Sequence, residues 1–200
     1  MSENIIKIIT EAFKVIPAGN HLVKQDSKRD LRYKKLGAYI YKNAVKKKGL
    51  YVASNGSGVA VCYEIDPKNN KTTFSDFIDD IKFAFGISGI SKALAIAKRQ
   101  KYIQSKRPKN EKYMYWEFTA VDPNARGNQA GTMGDMRDAV YTDAHEKQLP
   151  IYAETSIRKN MIVYRRYGFD IYHEWTMPDG STMWFLHYDT KNKPKFEKKS

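Results

Sequence analysis

Apolar residues recur at helical spacing from the start of the chain. Ile5, Ile8, Ile9, Ala12 and Phe13 share one side, which predicts an amphipathic helix over residues 3–15, ended by Pro17-Ala18-Gly19-Asn20. Leu31, Leu36, Ile40 and Ala44 predict a second helix or a broken helix pair with lysines outside, and Gly49 stops it. The period then changes to two. Residues 50–53 and 58–65 flank Ser54-Asn55-Gly56-Ser57, a hairpin signature. Alternation puts Val59, Val61 and Tyr63 on one face, with Ala60 and Cys62 on the other. Helical spacing returns over residues 74–85 and, past Gly86 and Gly89, over residues 91–104, where Ala93, Leu94, Ile96 and Ala97 form the apolar side.

An aromatic, apolar run over residues 113–121 reads as a strand that stops at Asp122-Pro123, because proline disfavours a helical conformation before it and cannot continue a central ladder. A loop with Arg126, Gly127 and Gly131 leads into a helix over residues 132–147, with Met133, Met136, Val140 and Ala144 inward. A short strand (149–153) follows, then a helix (158–167) that Thr155 or Ser156 can cap and Gly168 ends. Strands over 169–175 and 183–188 flank Pro178-Asp179-Gly180-Ser181 and are expected to pair antiparallel. Strands of mixed direction with helices on both sides predict an α/β sandwich. We expect one domain over residues 1–190 and a basic tail over 191–200.

Composition narrows the function. Apolar content of 42% and charged content of 28% make the chain globular rather than disordered. Cys62 is its one cysteine, which excludes an intrachain disulfide and a thiolate metal cluster. It lies in an apolar run with no nearby histidine and reads as a small buried hydrophobe. His145 is expected at the surface, and no triad or metal-ligand spacing connects it with His173 or His187. The apolar run at Ile5 to Ile9 is too short for a signal-peptide core and no segment reaches transmembrane length, so a cytoplasmic location and no membrane partner are expected. The formal charge of +13 is concentrated in residues 24–48, 92–112 and 191–199. Basic patches attract polyanions and are equally the solvated faces of helices. No zinc-finger spacing or strand-binding aromatic motif accompanies them, so nucleic acid is not the expected partner.

The strand, glycine-bearing loop and helix start around residues 113–132 carry the candidate chemistry. Together they present free backbone N–H groups and the positive end of a helix dipole, an arrangement suited to a phosphate or pyrophosphate. Arg126 could add a charge-assisted contact. The alternative is an ordinary strand-to-helix turn with a surface arginine.

Here the chain resembles the GCN5-related N-acetyltransferase superfamily. The family signature (Arg or Gln, two residues, Gly, one residue, Gly or Ala) is matched by Arg126-Gly127-Asn128-Gln129-Ala130-Gly131. Ala120-Val121-Asp122-Pro123 and residues 160–169, N-M-I-V-Y-R-R-Y-G-F, are also similar, and the likeness covers roughly residues 113–188. It implies a mixed, splayed sheet flanked by helices and an enzyme that moves an acetyl group from acetyl-CoA to a primary amine by direct attack. The runner-up is a non-catalytic acyl-CoA-binding or interaction protein on the same fold. By resemblance, backbone N–H groups from Gln129, Ala130, Gly131 and Thr132 hold the pyrophosphate, while Arg126 and Asn128 shape the loop with Gly127. The pantetheine arm pairs with backbone at Phe118, Thr119, Ala120 and Val121, where this strand splays from the 149–153 strand. Gln129 departs from the family's usual glycine, and a φ above zero there would strain the loop. Tyr164 matches the family tyrosine that protonates the leaving thiolate, Asn160 the asparagine that binds cofactor, and Tyr167 is expected to pack.

A general base is read from the strand itself. Glu117 shares a face with Tyr113, Tyr115, Thr119 and Val121 by alternation, so its carboxylate could take a proton from an ammonium substrate, with burial raising its pKa; the alternative is an ion pair with a lysine on a neighbouring element. The acceptor is expected to be a small-molecule amine, with a protein amine as the other choice, and homodimerisation is left open.

Overall fold

The first helix, α1 (Ser2–Val15), buries Ile5, Ile8, Ile9 and Ala12, the spacing that aligns side chains on one face. Each isoleucine removed from water in this way stabilises the fold by roughly 1.5–3 kcal/mol. Pro17 opens a further short helix, α2 (Pro17–Leu22), where its missing N–H would be unpaired in any case. The expected second helix is one continuous element, α3 (Arg29–Lys46), which buries Tyr33, Leu36 and Ala44 and leaves Leu31 exposed. Leu31 lies five residues before Leu36, about 140° around the helix, while Tyr33 takes the inward position.

The structure, a computed structural model, describes residues 2–69, 86, 90–125 and 131–192. The helix expected over 74–85, the last residues of the basic tail (193–200), and Arg126, Gly127, Asn128, Gln129 and Ala130 lie outside the described residues. No helix among the described residues is long and apolar enough to cross a membrane.

Strands β1 (Leu50–Val52), β2 (Gly58–Ile65), β3 (Tyr113–Val121), β4 (Ile151–Thr155), β5 (Asp170–Thr176) and β6 (Thr182–Tyr188) form one mixed sheet in the order β1-β2-β3-β4-β6-β5. β3 and β4 run parallel; the other neighbours are antiparallel, including the β5–β6 pair expected from its turn. The remaining helices are α4 (Ile90–Lys106), α5 (Thr132–Lys147) and α6 (Arg158–Arg166).

Two layers of core sit on the two faces. Ala60, Cys62, Met114, Trp116, Ile151 and Ala153 pack under α5 and α6, whereas Val59 and Ala120 meet α1. Val61 and Tyr63 join Ala44 of α3, so the alternation predicted in β2 holds. Besides Leu31, two further apolar positions were misplaced by spacing alone. The buried stripe of α5 is Thr132, Met136, Val140 and Ala144, at steps of four, which turns Met133 outward. In α4, Leu94 is exposed and Ile103 makes the core contact with Met177, Met183 and Phe185.

Candidate active site

The register of β3 locates the site. Val61 pairs with Phe118 and Cys62 with Trp116, so Glu117 is an extra residue, a β-bulge. A bulge reverses the inward and outward parity of the strand residues beyond it. Met114 and Trp116 face α5 and α6 before it; Val121 faces that side after it, and Phe118 and Ala120 face α1. Trp116 Nε1 donates to Thr119 Oγ1 at 2.9 Å, which fits both side chains lying on one face. Strict alternation therefore failed at this point. Glu117 shares no continuous face with Tyr113, Tyr115, Thr119 and Val121, and it is exposed rather than buried among aromatics.

The parallel ladder ends beside the bulge. Met114, Tyr115 and Trp116 pair with Ile151, Tyr152 and Ala153, and among the described residues β3–β4 pairing goes no further. Phe118, Thr119, Ala120 and Val121 thus lie past the parting point on the β3 side, and Glu154 and Thr155 lie past it on the β4 side. Phe118 is half-buried against α1, its ring edge-on to Phe13 at 5.6 Å.

Tyr164 comes to the same point from α6. Its ring packs edge-on against Trp116 at 5.8 Å and Phe169 at 5.1 Å. Burial is the main cause that pushes its hydroxyl well above the ordinary tyrosine range, with Cys62 and Glu154 adding to it. Asn160 lies one helical turn earlier on the same face of α6 and is exposed. The N-cap residue of this helix is Ile157, whose side chain makes no capping bond; Thr155 Oγ1 instead accepts the Ile157 N–H at 3.1 Å. Tyr167 packs as expected, with its carbonyl accepting from the Tyr141 hydroxyl at 2.6 Å and Arg137 4.8 Å above its ring.

Of the expected pyrophosphate loop, Gly131 and Thr132 are described. Gly131 has φ −89° and ψ −22°, so its glycine is not needed for a left-handed backbone. A Cβ there would meet nothing within 4 Å among the described residues, which leaves space on their side at the start of the 16-residue helix α5. Thr132 is buried, and its hydroxyl is held by Asn55 Nδ2 at 3.0 Å and Ser57 Oγ at 3.1 Å. The Ser54 N–H donates to Asp135 Oδ2 at 2.6 Å. The β1–β2 turn therefore anchors the first turn of α5. Sequence reading missed this role, although Ser54, Asn55 and Ser57 in that turn offered more hydrogen-bonding groups than a hairpin requires.

A second unpredicted feature is the Arg107–Glu154 ion pair. Arg107 Nε and Nη2 donate to Glu154 Oε1 and Oε2 at 2.9 and 3.1 Å, and the side chains are only 10% and 4% exposed. The guanidinium lies 3.5 Å from the centroid of the Tyr115 ring. Burial opposes its charge, but Tyr115 and Glu154 outweigh that and raise its pKa further. Burial likewise pushes the Tyr115 hydroxyl far up, with Glu154 adding and Arg107 opposing. Beside this pair an open cavity of about 270 Å³ is lined by Arg107, Tyr152, Tyr172 and His187. Cys62 is buried and its thiol is pushed well up by burial, as suits a small core residue. His145 is half-buried, with Nε2 3.2 Å from the Tyr188 hydroxyl, and is not the surface residue expected.

No family model matches the sequence, and no curated protein sequence matches it. Solved structures do match. One is described as histone acetyltransferase HPA2 and related acetyltransferase from Corynebacterium glutamicum, 18% identical with a TM-score of 0.63 over 98% of this chain and 93% of that one. Another is the Drosophila melanogaster polyamine N-acetyltransferase, which catalyses formation of N-acetylagmatine, at 10% identity and TM-score 0.63 over 94% of each chain. Arylalkylamine N-acetyltransferase 2 from Aedes aegypti aligns at 12% identity and TM-score 0.61, again over 94% of each. The mixed sheet, the parting of its two parallel strands and these likenesses agree: the chain has the fold of the GCN5-related N-acetyltransferases.

Proposed function

We propose that the chain is an acetyl-CoA-dependent N-acetyltransferase that acts on a primary amine in a ternary complex. The observation that carries this reading is the convergence of the β3–β4 parting point, the Glu117 bulge and the Tyr164 hydroxyl. The cofactor fits the residues present. Gly131 leaves open space at the positive end of α5, and β3 past Trp116 has no β4 rung beside it among the described residues. Gly131 and Thr132 would hold phosphate there together with Arg126, Gly127, Asn128, Gln129 and Ala130. Phe118, Thr119, Ala120 and Val121 would hold the extended arm, with Asn160 beside it on α6.

When bound, acetyl-CoA supplies an acetyl thioester. Glu117 is exposed, and its carboxylate can take a proton from the nitrogen of a substrate ammonium group. Tyr164 Oη keeps its proton at neutral pH because burial disfavours the phenolate. It also holds that proton more tightly than an ordinary thiol, whose pKa is about 8.5. Oη therefore serves best as a hydrogen-bond donor to negative charge on sulfur. The small-molecule amines named for several structural neighbours support an amine of that class as acceptor.

A screen of primary amines with acetyl-CoA, monitored by free thiol release, tests the reading. Amine-dependent thiol release is expected. Saturable acetyl-CoA binding in calorimetry with no turnover on any amine would favour the non-catalytic binding protein instead.

A further inference from the structure

Among the described residues the other ion pairs are more exposed: Lys14–Glu11 and Lys147–Asp143 have side chains a quarter or more exposed, and those of the sequence neighbours Arg137 and Asp138 are 17% and 19% exposed. Arg107–Glu154 is different in burial, in its two parallel hydrogen bonds and in position. Glu154 comes directly after Ala153, the last β4 residue paired with β3. Arg107 lies just past the end of α4, and its guanidinium covers Tyr115 of β3 while it grips Glu154 of β4. One planar cation thus touches both parallel strands around the end of their ladder, at Tyr115 one rung before the last pair and at Glu154 one residue beyond it. A buried pair of this kind is weak as a source of stability, since apolar residues of similar volume often serve as well. Its fork geometry is directional, however, and fixes the relative placement of the groups it joins.

The ladder alone leaves the parting point loosely determined. β3 and β4 share three paired positions, and the Glu117 bulge interrupts β3 immediately beyond them. We propose that Arg107 and Glu154 are positioning residues that rivet β3 to β4 at the parting point and so set the opening that receives the acyl-bearing arm of the cofactor. This rests on the function proposed above. The pair acts on the arm and not on the phosphates, which belong to the start of α5.

The test is calorimetric titration with two compounds, acetyl-CoA and an adenosine bisphosphate lacking the pantetheine arm. Three proteins are compared: wild type, Arg107→Lys, and the double variant Arg107→Met with Glu154→Leu. The double variant removes both charges together, so its thermal unfolding is expected to stay near that of wild type. It should bind the adenosine compound normally and lose about tenfold or more of its acetyl-CoA affinity, as a site loosened near the reacting group does. Arg107→Lys, which keeps the charge without the fork, should lose part of the same affinity. Two outcomes overturn the rivet: wild-type affinity for acetyl-CoA in the folded double variant (or in Arg107→Lys, should the double variant not fold), or equal loss for both compounds. A wild-type protein that binds neither compound sinks the acetyltransferase reading and the rivet with it. That result is distinct from wild-type binding that the variants leave unaltered.

Discussion

Tyr164 is held by its ring between Trp116 and Phe169, while burial keeps its hydroxyl protonated. Packing and chemistry therefore reside in different atoms of one side chain. Tyr164→Phe keeps the ring contacts and removes the donor. Loss of a donor aimed at developing charge lowers kcat and kcat/KM together, here by about 10²-fold, with acetyl-CoA affinity little changed. Steady-state acetylation and thermal unfolding on the same preparations check this; a near-wild-type kcat would assign the hydroxyl a structural role. Tyr164 could be singled out in the sequence because it sits in a contiguous motif that ends at Gly168-Phe169, and its ring does pack on Phe169. Glu154 and Arg107 were not. They meet across 47 residues, and neither has neighbours in sequence that mark it out from a surface charge.

Spacing located the helices and strands of the described chain, apart from the short α2, because burying an apolar stripe is what selects helix or strand. It failed where one residue shifts the phase. The Glu117 bulge reverses the faces of β3 midway, and an exposed Leu31, Leu94 or Met133 beside a truly buried stripe carries no mark of its own. Two glycines test how the elements meet. Gly131 has open space among the described residues and an ordinary backbone, so Gly131→Leu should change stability by no more than about 0.5 kcal/mol. The same side chain fills the proposed phosphate approach, so acetyl-CoA affinity should fall. Gly58 is the opposite case, since a Cβ there would lie 2.6 Å from Thr132 Cγ2 and 2.8 Å from Met136 Cε. Gly58→Ala forces β2 and α5 apart and should destabilise by about 1–3 kcal/mol, the usual range for overpacking. Urea unfolding together with calorimetry separates the two effects; an unaltered acetyl-CoA affinity in folded Gly131→Leu would place the phosphates elsewhere.

At the scale of the whole molecule, a chain of formal charge +13 sets many of its described aromatic residues in the sheet or in the helices packed on it, and the tyrosines among them share an electrostatic consequence. Burial raises Tyr51, Tyr141, Tyr164 and Tyr172 well above the ordinary range and pushes Tyr152 up to about 12. In the unfolded chain each titrates near the ordinary value of about 10. Below that pH both states hold the proton and the stability these groups contribute is fully present. As pH rises past about 10 the unfolded state loses protons that the folded state retains, so stability falls until the folded groups ionise in turn. A well-buried group such as Tyr141 or Tyr164 adds a slope of up to about 1.4 kcal/mol per pH unit in that window, and the partly exposed Tyr51, Tyr152 and Tyr172 add less because solvent screens them. Cys62, also raised by burial, starts its own smaller loss near the thiol value of about 8.5. Urea unfolding between about pH 7 and 11, with tyrosinate absorbance recorded in parallel, should therefore show a gentle decline above pH 8.5 and a steep one above pH 10. Folded protein whose tyrosines ionise together near pH 10, with stability unchanged through that range, would mean that solvent reaches these rings and that the sheet faces are more open than their packing implies.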